Sequence, residues 1–177
     1  MEHFHYGEKP SDAVISPCQL YRYALTRVWD PEKPYVTFIG LNPSTADATI
    51  NDPTIRRCIG FAERWGYGGL VMVNLFAYRA TDPSVMMAAT DPVGVNNDEW
   101  LKSLADAAGT VVAAWGNHGA FMQRSSKVRE LIPNLHYLKL NSSGEPAHPL
   151  YLKATLEPEP LGPYLVDKCN GNMLDET

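Results

Sequence analysis

The sequence predicts one α/β domain of three layers, with helices on both faces of a central, mainly parallel four-stranded sheet. Three observations carry this. Short apolar, β-rich runs recur at 35–40, 69–76 and 110–116, and the first and third stop at a glycine. Between them lie segments whose apolar residues recur at helical spacing. A length of 177 residues with 45% hydrophobic content suits a single packed core.

In YRYALTRVWD, Tyr21, Tyr23 and Leu25 fall on one side at period two, which suggests a strand before Pro31 and Pro34 break the chain. YVTFIG (35–40) reads as a buried strand ending in a loop, and LNPSTADATINDP as that loop. Asp52 and Pro53 then open a helix expected over 54–65, with Ile55, Ile59 and Ala62 on one face. Gly66, Gly68 and Gly69 end it. GLVMVNLF (69–76) is the second buried strand. Asn96 or Asn97 caps a helix running to about Ala108, whose inner face carries Trp100, Leu101 and Leu104. TVVAAWG (110–116) is the third strand, 117–131 a helix stopped by Pro133, and LHYLKL (135–140) the fourth strand. NSSGEPAHP closes the series as a loop. The domain is expected over residues 1–156, followed by an acidic tail at 157–177 that contains Pro and Gly and is weakly ordered.

Composition narrows the function classes. No run of about 18 apolar residues occurs, so no membrane span is expected, and the first residues do not resemble a secretion signal. A cytoplasmic protein is the simple expectation. Cys18, Cys58 and Cys169 are far apart and odd in number, which suits neither a disulfide framework nor a CxxC metal site. His3 and His5 are not followed by HExxH, so no metal is expected. Neither GxGxxG after a strand nor GxxxxGK[ST] is present, so no cofactor is expected. The net charge of −5 is concentrated in the tail, leaving the body close to neutral and neutral on the question of phosphate binding. Trp29, Trp65 and Trp100 read as core or sheet-covering residues, and Trp115 as core beside the expected pocket.

In parallel α/β sheets, ligands bind beyond the carboxyl ends of the strands. There the sequence places Asn42, Asn74, Asn117 with His118, and His148. A carboxamide offers both a donor and an acceptor to the edge of a pyrimidine, and a histidine donates to an oxygen that gains charge. His118 has no motif around it and reads as structural.

Four segments then resemble motifs of the uracil-DNA glycosylase superfamily, in order and spacing, over about residues 35–152. FIGLNPS (38–44) is similar to its first motif, LVMVNLFAYR (70–79) to its second strand, VVAAWGNHG (111–119) to the segment that follows, and HPLYL (148–152) to its last. The resemblance is to a branch with GLNPS at motif one, akin to bacterial anti-phage glycosylases that act on glucosylated hydroxymethylcytosine. It implies a uracil-DNA-glycosylase-like fold and a monomeric, monofunctional enzyme that flips a pyrimidine out of DNA and hydrolyses its N-glycosidic bond.

The resemblance also implies roles. Asn42 and His148 are the catalytic candidates, the first holding water and the second donating to the pyrimidine O2. Asn74, with Ser44, Gly40 and Leu41, lines the base site. Leu150 and Tyr151 stand where a duplex wedge belongs. Arg56, Arg57 and Arg79 are candidate phosphate contacts; Asp47 or Asp52 is a candidate assisting acid, with Asp52 read chiefly as a helix cap. Ser44 stands where uracil-specific members resemble GQDPYH and carry Tyr, so a 5-substituted pyrimidine is the expected substrate. Repair of uracil or mismatched thymine, and non-catalytic binding of nucleotides or modified DNA, are the alternative expectations.

Overall fold

The computed structural model describes residues 4–162, and the tail residues Asp167, Lys168, Cys169, Asp175 and Glu176 lie outside them, as does His3. Seven strands form one sheet: β1 (Ser11–Ile15), β2 (Arg22–Val28), β3 (Tyr35–Gly40), β4 (Gly69–Asn74), β5 (Thr110–Ala113), β6 (Leu135–Tyr137) and β7 (Glu159–Pro160). The order is β1-β2-β4-β3-β5-β6-β7. The α/β class stands, but the expected four-stranded sheet is corrected to a mixed seven-stranded one. Strands β4, β3, β5 and β6 pair in parallel at the centre, while β1 and β2 on one side and β7 on the other are antiparallel.

Alternation along the central strands builds two cores. Tyr35, Ile39, Val71, Val73, Val111 and Ala113 enter one, which also takes Trp100, Leu101 and Leu104 of α3 (Asn97–Asp106) and Val128 of α4 (Arg124–Leu131). Val36, Phe38, Leu70, Met72 and Val112 enter the other, beneath Ile55, Cys58, Phe61 and Ala62 of α1 (Pro53–Arg64). Side chains of successive strand residues point to opposite faces, so an apolar residue at every position means cover on both sides. Helix α1 starts as its sequence requires. The Asp52 carboxylate accepts from Ile55 N at 2.8 Å, and Pro53 takes the first helical position.

Several expectations change. Residues 117–131 are not one helix. A 3-10 segment, Asn117–Gln123, kinks where Met122 and Gln123 take φ of 53° and 56°, and α4 begins only at Arg124. The buried Arg124 guanidinium holds that start, donating to Leu75 O at 3.0 and 3.1 Å and to Asp98 at 2.7 Å. The fourth strand stops at Tyr137 rather than 140. Beyond the expected boundary at 156, β7 pairs with β6 and Leu161 is buried in the first core. Trp29 is 39% exposed rather than core, its indole N–H donating to Tyr67 O. A short helix α2 (Pro83–Met87) adds a second Asp-Pro start, at Asp82-Pro83. No described helix is long and apolar enough to cross a membrane.

Candidate functional site

The chain runs from β3 to β4 on one side, then crosses to β5 on the other, so the strand order switches at β3. A crevice forms at such a switch, beyond the carboxyl ends of the strands. Here it is a cavity of about 530 Å³, and Asn42, Asn74 and His148 all line it, with Gly40, Leu41 and Ser44. This size falls within the range of small-molecule sites, about 300–1,000 Å³.

The loop after β3 is held from β2. Arg27 ties it to the sheet: Nε donates to Asn51 Oδ1 at 2.8 Å and Nη2 to Asp47 O at 2.5 Å and Ile50 O at 3.2 Å, while Nη1 donates to the strand carbonyls of Thr26 at 2.8 Å and Asp12 at 3.4 Å. Arg22 donates through Nη1 to Ala46 O at 2.8 Å. Within this loop the Asn42 amide nitrogen donates to Pro43 O at 3.1 Å and Ala80 O at 2.8 Å. Both partners are carbonyls, which fixes the amide orientation and leaves Oδ1 as an acceptor.

Asn74 ends β4 at 3% exposure, and its Nδ2 is buried without a partner among the described residues. An orphaned donor of this kind costs about 1–3 kcal/mol, which a ligand acceptor would recover. The Asn74 backbone is anchored from behind, since Asn97 Nδ2 donates to its carbonyl at 3.0 Å.

His148 stands exposed at the mouth. Leu150 N–H donates to its Nδ1 at 3.2 Å, so the neutral ring carries its proton on Nε2. Protein around the ring holds its pKa below the ordinary 6.5, desolvation outweighing the attraction of the Asp52 carboxylate. Opposite it, Gly116 takes φ +76°, and a Cβ there would come 4.0 Å from His148 Cβ. The same glycine donates N–H to Pro146 O at 2.8 Å, tying the third strand's loop to the last. Trp115 is buried at 1% exposure and also lines the cavity, its indole fixed by Glu145 at 2.6 Å.

Other expected residues fall elsewhere. Asp47 does not line the cavity: its carboxylate accepts from Thr49 N at 2.9 Å and Ile50 N at 2.8 Å, closing a turn. Those bonds hold its carboxyl below the usual range. Asp52, expected chiefly as a cap, both caps α1 and lines the cavity. Arg56 and Arg57 line a separate cavity with Arg64 on the outer face of α1. Arg79 donates to Gln19 O at 3.1 Å and lies outside both. Leu150 is half-buried, while Tyr151 is 94% exposed with φ +73°. His118, expected to be structural, is exposed and lines the cavity.

Arg22 was missed as a site residue, along with Thr54, Thr81 and Asn141. The signal for Arg22 was a charge inside an apolar strand run, but strand position alone does not say whether such a charge faces solvent. Among the described residues, no group of three or more His, Cys, Asp or Glu is placed to hold a metal.

The switch-point cleft is lined by four carboxamides (Asn42, Asn74, Asn117 and Asn141), two histidines (His118 and His148) and the buried Arg22, a set that offers hydrogen-bond donors and acceptors to a polar ligand. The chain belongs to the family described as "Protein of unknown function (DUF1643)", whose model matches residues 22–150. No curated protein and no solved structure matches it. The matched segment opens at Arg22 and includes Asn42, Asn74 and His148.

Proposed function

We propose that the protein is a monofunctional DNA glycosylase acting on a flipped pyrimidine nucleotide. The observation that carries this reading is the convergence of three groups on one cavity: a buried unpaired donor on Asn74, a free acceptor on Asn42 and an Nε2–H on His148. Asn74 Nδ2 meets a carbonyl or ring nitrogen of the base edge. Asn42 Oδ1 accepts from a water and aims its oxygen at the sugar carbon. As the C1′–N bond breaks, its electron pair leaves with the base, and His148 Nε2–H stabilises the charge on the pyrimidine O2. Water oxygen bonds to C1′, and its proton ends on the released base. Among the described residues no lysine lines the cavity, so an imine with the abasic sugar is not expected.

Tyr151 favours DNA over a free base. It is 94% exposed, three residues from His148, and its backbone is in the left-handed region, where strain is characteristic of working sites. Such a side chain fills the gap left by a flipped nucleotide. Ser44 and Thr81 line the cavity with small polar groups, which suits a 5-substituted pyrimidine such as glucosylated hydroxymethylcytosine of phage DNA.

Mass spectrometry of bases released from DNAs holding uracil, mismatched thymine, hydroxymethylcytosine and its glucosylated form tests this. Wild-type protein is expected to release at least one base, and Asn42→Ala roughly 10²-fold less. No release from any of the four would remove the proposal.

A further inference from the structure

We infer that the cleft contains an oxyanion subsite in which Arg22 takes a phosphate group of the nucleotide. Only the carrier of that phosphate rests on the nucleotide reading above; the oxyanion subsite itself stands on Arg22 and its surroundings.

Arg22 is 2% exposed and lines the cavity. It spends one nitrogen on Ala46 O, while its Nε is buried with no partner among the described residues. Every nitrogen of Arg27, on the same strand, donates to an oxygen; an unpartnered Nε also occurs on Arg57, Arg79 and Arg129, and among these described arginines Arg22 alone lines the central cavity. No ion pair to a described carboxylate relieves Arg22, although one is expected for a buried charge.

Its surroundings balance two arginines against two carboxylates and supply hydroxyl groups. Arg79 and Arg27 repel it, Asp52 and Asp47 attract it, and burial holds its pKa down to about 10, still a cation at neutral pH. The hydroxyl residues Ser44, Thr54 and Thr81 line the same cavity, and Thr54 belongs to the first turn of the twelve-residue α1. A guanidinium edge matches two oxygens of a phosphate at once, which an ammonium does not. Among the described residues Asp52 is the one carboxylate lining the cavity, and its Oδ1 is engaged by Ile55 N. The cavity, at about 530 Å³, leaves room for a phosphate beside a pyrimidine ring.

The phosphate could be the monoester of a free nucleotide or the diester of a strand, and the ligands tested separate the two. Calorimetric titrations of the full chain would use deoxyuridine, its 5′-monophosphate, inorganic phosphate, and a single-stranded oligonucleotide blocked at both ends. The monophosphate is expected to bind at least about tenfold tighter than the nucleoside, with inorganic phosphate competing. Arg22→Gln should erase that preference, and Arg22→Lys should restore part of it. A preference confined to the oligonucleotide, and lost in Arg22→Gln, assigns the site to a diester. Should Arg22→Gln not fold, the wild-type ratio together with Arg22→Lys decides. Equal binding of nucleoside and monophosphate, or no binding of either, together with oligonucleotide binding that ignores Arg22, overturns the inference. Phosphate preference without base release would leave the subsite standing and sink the glycosylase; base release without phosphate preference would do the reverse.

Discussion

Gly40 and Asn74 stand opposite each other where β3 and β4 pair in parallel, and a Cβ on residue 40 would lie 2.9 Å from Asn74 Oδ1. Only a glycine leaves the Asn74 amide its position. The obstructing atom is the far end of a side chain, so Gly40→Ala should fold while turning that amide away from the base edge. A misplacement of about 1 Å at such a group costs up to roughly 10²-fold in rate. Base release by the Gly40→Ala protein is expected to fall at least about tenfold, with the thermal midpoint little changed. Undiminished release would separate Asn74 from base reading.

Asn42 is distinguished from an aspartate by what its nitrogen does. Two carbonyl oxygens, of Pro43 and Ala80, receive its protons. A carboxylate at this position would face both of them with no proton to give. Asn42→Asp should therefore be less stable than Asn42→Ala, by about 1–3 kcal/mol. The deficit should shrink on acidification, as the carboxyl regains a proton to donate. Urea denaturation at two pH values measures it; an Asp variant as stable as the Ala variant would mean that the loop does not depend on these bonds.

Tyr151 sets stability against function. Its φ of +73° costs a side-chain-bearing residue about 1 kcal/mol, which glycine avoids. Its ring, 94% exposed, contributes little packing in return. Tyr151→Gly should raise stability by about 0.5–1 kcal/mol and at the same time weaken action on duplex DNA more than on single strands. Equal losses on both substrates would remove the wedge role.

Ser44 bears on substrate choice. It lines the cavity and lies 3.5 Å from the Thr81 hydroxyl. A Tyr ring at this position would fill the space that a 5-substituent needs. Ser44→Tyr is expected to abolish release of bulky bases while sparing any action on uracil. Release of uracil alone by the wild-type protein would contradict the preference for substituted bases.

What was legible follows from burial. The central strands read clearly because cover on both faces makes nearly every residue apolar, from Tyr35 to Ile39 and from Leu70 to Val73. Asn74 stood out because a buried amide at the end of such a run demands a reason. Strand β1 gave no such signal: all five of its residues are half-buried on an edge. Helix α2 is only five residues long, too short for a period, although Asp82-Pro83 repeats the start of α1. Asp47 and Asp52 lie in one polar loop, and spacing alone could not say which reached the cavity. The difference lies in tertiary contacts, with Arg27 gripping the Asp47 carbonyl and α1 drawing Asp52 inward.

His148 makes the behaviour in acid a test of the mouth of the cleft. Its Nδ1 accepts from Leu150 N–H at 3.2 Å, a bond that exists only while that nitrogen is unprotonated. Desolvation places its pKa below 6.5 in the folded chain, whereas the unfolded chain keeps the ordinary value. Between those two values the unfolded state binds the proton first, so stability falls as pH drops below 6.5 and levels off below the folded pKa. Above 6.5 the group contributes no pH dependence. Protonation also turns Nδ1 into a donor facing the Leu150 N–H, which should loosen the turn that carries Tyr151. His148→Gln is expected to flatten this part of the stability profile and to lower base release roughly 10²-fold. An NMR titration of the His148 ring is expected to give a midpoint below 6.5, with the Leu150 amide shifting in step. A Leu150 amide indifferent to the titration would reject the Nε2–H tautomer on which the donor role of His148 depends, and a midpoint above 6.5 would mean that the Asp52 carboxylate outweighs desolvation at the ring.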